Sequence, residues 1–140
     1  MMHSSDSISL QFISSTARSG NPTEGSQENF FGFREISIKP FQSSKLLTDL
    51  IPPMLPLGWG STFASAASIS TCGIYQMLGG WDLFGLRYLL QKMYYGLPSH
   101  SQIAIMVQVF FIDSLDVNYA NHHDRLYIRV NSNDPQLEIA

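Results

Sequence analysis

Cysteine and charged residues are scarce in this sequence. Cys72 is the single cysteine among 140 residues, which excludes a disulfide within the chain and a zinc site built from several thiolates. Charged residues make up 14% of the sequence, well below the share of about 25% that globular domains usually carry. The eight Lys and Arg residues are scattered and the formal net charge is −3, so we expect no nucleic-acid partner.

Long hydrophobic runs and targeting signals are also missing. No window reaches the roughly 20 continuous apolar residues that a membrane-spanning helix needs. The nearest stretch, residues 46–77, is interrupted by Pro52, Pro53 and Pro56. The N-terminal residues have neither the basic nor the apolar region of a signal peptide, so the sequence predicts no secretion by that route.

Alternation of apolar and polar residues is the clearest pattern that the sequence contains. It occurs in Ile8–Ile13, Arg34–Lys39, Ile103–Phe111 and again in residues 126–130, where Leu, Ile and Val alternate with Tyr and Arg. A period of two residues is typical of β-strands with one buried face. The sequence therefore predicts a β-rich protein.

Three stretches are less regular. Ser14–Asn29 is rich in Ser, Gly and Asn and predicts a long surface loop. Lys45–Leu50 is compatible with a helical turn, and the prolines that follow it predict a linker. Leu86–Tyr95 fits the spacing of a strand and, slightly better, that of a helix.

The loop between the last two alternating segments concentrates oxygen-bearing side chains. Asp113, Asp116, Asn118 and Asp124 are candidate ligands for Ca²⁺, which takes six to eight hard oxygen ligands. Their spacing is not that of an EF-hand. In the alternative interpretation, Asp113 and Ser114 cap the strand and bind loop amides.

Histidines in the same loop suggest a second chemistry. His122 and His123 adjoin Asp124, and together with His100 they raise the alternative of a metal-dependent hydrolase that uses the loop Asp and His residues. Adjacent residues of an extended chain point to opposite faces, so solvated histidines are the simpler interpretation. A G-x-S-x-G elbow and a phosphate-binding loop are both missing from the sequence, and we therefore expect no enzyme.

Aromatic residues offer a binding surface of another kind. Trp59, Tyr75, Trp81, Tyr94 and Tyr95 are candidates for a platform that holds a sugar or a peptide. In a sheet protein the same residues also serve as core or cross-strand packing.

Several motifs of the second half resemble those of a known module. Cys72-Gly73 followed by a tyrosine, then LGGW with FG, LPSH, FFIDSLD and LYIRVN, have an order and rough spacing similar to a repeated β-sandwich module of large, presumed surface or secreted proteins of ciliates and related protists. The resemblance covers Cys72–Asn131, about half of the chain. Asp113, Ser114 and Asp116 fall on the module's IDSWD pattern, in which Leu115 replaces the tryptophan.

The first half resembles the closing part of the same module. Residues 28–36, ENFFGFREI, are similar to its ESWGIRDI-type pattern. The resemblance implies the end of one repeat in residues 1–41, a linker in 42–70 and the start of the next repeat in 71–140. The cysteine pairing that it implies has only Cys72 in this chain.

The resemblance also carries the functional expectation. It implies a non-catalytic binding or structural module of a larger extracellular or cell-surface protein. Its expected partners are a carbohydrate or protein ligand and the other modules of that protein. A non-functional gene fragment is the remaining alternative.

Together, alternation and resemblance predict an antiparallel β-sandwich, jelly-roll-like and either incomplete or circularly permuted. Leu86–Tyr95 is then a strand, because tertiary pairing overrides a local pattern. Strands with one apolar face are not stable alone, so we expect Ile8–Ile13 and Arg34–Lys39 to pair antiparallel with strands of Cys72–Val130. The residues expected to face one another across the core are Leu10, Phe12, Ile36 and Ile38 on one side and Ile105, Val107, Val109 and Ile128 on the other.

Overall fold

The structure, a computed structural model, describes residues 6–15, 30–41, 43–49, 58–62, 67–81, 83–84, 88–112, 125–131 and 134–138. These residues form ten β-strands and no α-helix. The strands are β1 (Ser7–Ser15), β2 (Phe30–Pro40), β3 (Leu47–Asp49), β4 (Trp59–Ser61), β5 (Ile69–Cys72), β6 (Tyr75–Gly79), β7 (Leu89–Tyr95), β8 (Ile103–Ile112), β9 (Arg125–Val130) and β10 (Gln136–Glu138).

The strands form two antiparallel sheets. Sheet I has the order β10-β9-β1-β7-β4, and sheet II has the order β3-β2-β6-β5, with β8 paired to the other edge of β2. Consecutive strands lie in opposite sheets at β1–β2, β3–β4, β4–β5, β6–β7, β7–β8 and β8–β9. The predicted fold class, a mostly β antiparallel sandwich, is confirmed.

The core between the sheets is built around stacked aromatic rings. Phe12 of β1 and Phe33 of β2 stack with centroids 4.0 Å apart, which joins the central strands of the two sheets. Trp59 extends this stack on one side at 5.5 Å from Phe12, and Phe84 packs edge-on against Phe33 at 5.3 Å. Such contacts add about 0.5–1.5 kcal/mol per pair beyond the area that they bury.

The two N-terminal strands are integral parts of the sheets. β1 lies between β7 and β9, and β2 lies between β8 on one edge and β6 and β3 on the other, always antiparallel. This confirms the expected pairing with strands of the second half. The expected residues all line the core: Leu10, Phe12, Ile36 and Ile38 are fully buried, and Ile105, Val107, Val109 and Ile128 pack against the same cluster. Their expected arrangement across the core is wrong, because Ile36 and Ile38 share sheet II with the three apolar residues of β8, and Leu10 and Phe12 share sheet I with Ile128.

A β-bulge divides β2 into two halves. Phe31 and Phe33 point into the core before it, and Ile36 and Ile38 do so after it. The register against β8 shifts between Arg34 and Ser37, and Glu35 adopts a left-handed φ of 51°. The extra residue reverses the alternation, which keeps both halves apolar towards the core.

The predicted helical turn at Lys45–Leu50 is wrong, because Leu47–Asp49 forms β3 and pairs with residues 36–38 of β2. Residues 47–49 pair with the second half of β2, and this pairing overrides their weak helical pattern. The stretch 42–70, interpreted as a linker, holds β3, β4 and the start of β5. The division into two module halves stays a prediction.

The ambiguous stretch in the second half is a strand, since Leu89–Tyr95 forms β7. The strands that flank the acidic loop belong to different sheets, β8 to sheet II and β9 to sheet I. Residues 113–124 therefore connect the two sheets. The structure of that loop and of most of the predicted loop at 14–29 lies outside the described residues.

Candidate functional site

The predicted metal ligands fall in the loop between the sheets. Asp113, Asp116, Asn118 and Asp124, like the neighbouring His122 and His123, lie outside the described residues. The calcium site stays a prediction. Within the part of the chain that the structure describes, no three His, Cys, Asp or Glu side chains are grouped so as to hold a metal ion.

The remaining candidate histidine is built into the fold. His100 follows β7 and is 8% exposed. Its Nδ1 lies 2.5 Å from the carbonyl oxygen of Pro98, a contact in which the ring donates the hydrogen bond. His100 therefore serves the structure of the chain between β7 and β8.

A second cluster of apolar side chains lies on the outer face of sheet II, away from the core. Phe30 and Met77 are 5% and 0% exposed, yet neither belongs to the cluster between the sheets. Their neighbours along the strands, Phe31 and Leu78, do belong to it. Because successive residues of a strand point to opposite faces, Phe30 and Met77 are buried on the outside of the sheet.

Glycine makes room for this outer layer. Gly32 of β2 lies beside Gly79 of β6 in the sheet. A Cβ atom on Gly32 would overlap the Sδ of Met77 and stand 2.7 Å from its Cγ. Met77 is therefore buried where a side chain of β2 would otherwise stand. This is the close packing for which a glycine in a strand is often required.

The LGGW segment brings a tryptophan to the same face. Gly79 and Gly80 have backbone φ angles of 76° and 96°, which residues other than glycine rarely adopt. Their amides donate to the carbonyls of Ser68 and Phe31 at 2.8 and 2.7 Å, which fixes the turn on β2. Trp81 follows directly, packs against Phe30 at 5.2 Å between ring centroids and stays 57% exposed.

A second pair of aromatic rings lies on the same outer face of sheet II. The ring centroids of Tyr75 on β6 and Phe110 on β8 lie 5.4 Å apart, although β2 runs between these two strands. The guanidinium of Arg34, on β2, lies 5.5 Å from the centre of the Tyr75 ring. This cation–π contact holds the half-exposed tyrosine in place. We call Phe30, Arg34, Tyr75, Met77, Trp81 and Phe110 the outer aromatic face.

The outer aromatic face carries little net charge. The guanidinium of Arg34 forms an ion pair with the carboxylate of Glu35, with 3.0 Å between Nη2 and Oε1. The bulge places these two consecutive residues side by side. Glu35 is exposed, and so is Gln108, which lies opposite Arg34 on β8. The Nε of Arg34 is buried and has no hydrogen-bond partner among the described residues. The face thus combines aromatic rings with an ion pair and an amide.

The five aromatic residues considered as a platform separate in the structure. Trp59 and Tyr94 are 8% and 7% exposed and belong to the core. Tyr75 and Trp81 are on the outer aromatic face. Tyr95, 69% exposed, lies on the outer side of sheet I. Packing in the core therefore describes Trp59 and Tyr94, and the platform interpretation stays open for Tyr75 and Trp81.

Sequence reasoning missed Phe30, Met77, Phe110 and Arg34 as members of a site. One signal was present: Phe30 and Phe31 are adjacent, and an apolar residue on each face of a strand predicts burial on both sides. The contribution of Met77 depends on the missing side chain of Gly32, a contact across strands that periodicity does not reveal.

Comparison of the chain with protein-family models, with curated proteins and with solved structures gave no match in any of the three. Among the described residues, no helix has the length and apolar character needed to cross a membrane.

Proposed function

We propose that this protein is a non-catalytic binding module that holds a neutral carbohydrate on the outer aromatic face of sheet II. One observation carries the proposal: aromatic rings remain exposed on a sheet face where neighbouring side chains fix their positions. Tyr75 and Trp81 are 44% and 57% exposed, and each packs against a phenylalanine below or beside it. Exposed apolar surface of this kind marks interaction sites in soluble proteins.

Carbohydrate fits the chemistry of the face better than an apolar peptide does. A sugar ring presents C–H groups on its faces and hydroxyl groups around its rim. Tyr75 and Trp81 supply flat apolar surfaces with a polar group at the ring edge. Arg34, Glu35 and Gln108 supply hydrogen-bond donors and acceptors beside them. The charges of Arg34 and Glu35 cancel, which favours an uncharged ligand.

The wider setting of the module rests on the motif resemblance. A repeated surface-protein module would display such a face to glycans while other modules of the same protein flank it. The alternative hydrolase would use carboxylates and histidines of residues 113–124, and no observation on the described residues favours it.

The proposal is tested by binding of the purified chain to a panel of soluble neutral polysaccharides, followed by titration calorimetry on the strongest ligand. We expect Trp81→Ala and Tyr75→Ala each to weaken binding by about tenfold or more, equivalent to about 1.4 kcal/mol. Tyr75→Phe keeps the ring and should retain most of the affinity. Tyr95→Ala removes a more exposed tyrosine on the opposite sheet, so it is the matched control and should bind as the wild type does.

Two results would overturn the proposal. The first is a folded wild-type chain that binds none of the polysaccharides. The second is equal loss of affinity in Tyr95→Ala and Trp81→Ala, which would place the ligand elsewhere. Thermal melts of each variant separate loss of binding from loss of fold.

A further inference from the structure

The long strand β8 has one edge without a strand partner among the described residues. β8 pairs with β2 from Ile103 to Ile112 and with no other strand that the structure describes. In an antiparallel sheet, alternate residues direct their N–H and C=O groups to each side. Half of the backbone groups of β8 therefore face away from β2, and such a row is a template for another strand.

The other edges of the sheets are protected in ways that β8 is not. β3, β4 and β10 have three residues each, and β5 has four. Short edges, charges and prolines are the usual means by which monomeric proteins prevent edge pairing. β8 has ten residues, IAIMVQVFFI, with no charge and no proline.

Apolar side chains beside this edge are only partly covered. Ile105, Val107 and Val109 point towards the core but are not fully buried. Phe111, at the end of the same row, is 43% exposed, and Met106 on the outer face is 62% exposed. A strand added at this edge would bury apolar surface on both faces of the sheet.

The sequence of β8 is complementary to itself. In an antiparallel pair centred on Val107, that residue lies opposite the partner's Val107, and Ile105 lies opposite the partner's Val109. On the outer face Met106 lies opposite the partner's Gln108. Inward residues meet inward residues, and no like charges meet. A two-fold axis relates the two strands, as in most symmetric dimers.

We propose that a second copy of this chain occupies the free edge of β8, so that sheet II continues across a two-fold dimer. The dimer does not rest on carbohydrate binding, because the rings of Tyr75 and Trp81 are attached to β6 and to the turn after it, although β8 contributes Gln108 and Phe110 to the same face. Sedimentation equilibrium tests the dimer by measuring the molecular mass at protein concentrations of about 1–100 µM, because dimerisation depends on concentration. We expect the mass to rise from one chain to two across this range.

Charge variants test the interface itself. Met106→Lys/Gln108→Lys places lysines opposite lysines at two positions and should keep the chain monomeric throughout the range. Met106→Glu/Gln108→Glu should do the same, and an equimolar mixture of the two variants should restore the dimer. Met93→Lys, on the outer side of sheet I, is the matched control and should dimerise like the wild type.

Each other outcome overturns the proposal. A wild-type chain that stays monomeric at every concentration means that another segment of the chain, or a different protein, covers the β8 edge. A dimer that survives in both charge variants uses a different surface. If a charge variant fails to fold, shown by its circular dichroism, the single substitutions Met106→Lys and Gln108→Glu repeat the mixing test, because their mixture places the new lysine opposite the new glutamate of the partner. A mixture that dimerises no more strongly than either variant alone contradicts the two-fold pairing.

Discussion

The outer faces of the two sheets carry different kinds of side chain. In the middle of sheet I, Gln11 and Gln91 join across β1 and β7 by a side-chain hydrogen bond of 3.2 Å. On the outer side of sheet II, Met77 is fully buried, and the rings of Tyr75 and Phe110 contact each other across β2. The middle of sheet I therefore carries a polar pair, whereas sheet II carries an apolar layer whose rings are partly exposed.

The difference begins with glycine in neighbouring strands. Gly32 and Gly79 are partners in the register of sheet II, whereas β1, β7 and β9 of sheet I contain no glycine. The missing side chain of Gly32 leaves a depression on the outer face of sheet II, whereas a Cβ on Gly79 would meet Phe84 of the core. Met77 lies over Gly32 and fills this depression.

The largest expected effect comes from filling that depression. Gly32→Ala forces Met77 from its position, because the new Cβ would stand 2.7 Å from the Met77 Cγ. We expect a loss of about 1–3 kcal/mol in the free energy of unfolding, as for other overpacked sites. Gly60→Ala in sheet I is the matched control, since its Cβ meets only atoms of Gln91 at 4.0 Å. Urea denaturation of both variants makes the comparison.

Equal stability loss in the two glycine variants would show that the close packing on sheet II is unimportant. The double variant Gly32→Ala/Met77→Ala refines the result. If the alanine acts through Met77, the two losses will not add, because the second substitution removes the atoms that the first one displaces.

Much of the fold followed from alternation alone. β1, β2, β8 and β9 all lie where a two-residue period indicated strands, and β7 is a strand although its spacing favoured a helix. β3 and β4 were missed because strands of three residues show no periodicity. The bulge at Glu35 was missed as well, although the change of phase between Phe33 and Ile36 is its signature.

The next effect compares two residues other than glycine that have a left-handed φ in the described part of the chain, one beside each sheet. Asn131, with φ of 62°, ends β9 of sheet I and accepts a hydrogen bond from the Ser9 amide at 3.1 Å. Asn131→Gly loses this bond and should destabilise the protein by about 1 kcal/mol. Glu35→Gly in sheet II should act in the opposite direction and stabilise it by about 0.5 kcal/mol.

The sign for Glu35 follows from two opposing contributions. A left-handed residue with a Cβ costs about 1–2 kcal/mol, which glycine relieves. Glycine loses about 0.5–1 kcal/mol through the greater freedom of its unfolded chain, and the exposed pair with Arg34 contributes little. Thermal melts of both variants measure the signs, and a destabilised Glu35→Gly would mean that the ion pair matters more than the backbone strain.

The smallest expected effect concerns the segment that joins the two sheets. If Asp113, Asp116, Asn118 and Asp124 bind calcium, a free calcium concentration equal to the Kd adds about 0.4 kcal/mol to the stability. A thermal melt with millimolar calcium should then have a raised midpoint, and magnesium or the variant Asp116→Asn should not reproduce the shift. An unchanged midpoint contradicts the calcium site and favours the capping interpretation of the loop.

The candidate site was less predictable than the fold. Tyr75 and Trp81 were recognised as potential ligand contacts, but the sequence did not separate them from Trp59 and Tyr94 in the core. Their difference arises from which face of which strand each residue occupies. That assignment depends on pairing between distant segments, which a local pattern does not encode.

The position of β1 has a consequence for the kinetics of folding. β1 is the central strand of sheet I, and it pairs with β7 on one side and β9 on the other, so that Leu10 lies opposite Val130. Contacts this distant in sequence slow folding, because a large loop must close before they form. During synthesis, sheet I remains without one neighbour of its central strand until residues near Val130 have left the ribosome. Until then β1 keeps one unpaired edge, and unpaired strand edges promote aggregation during folding.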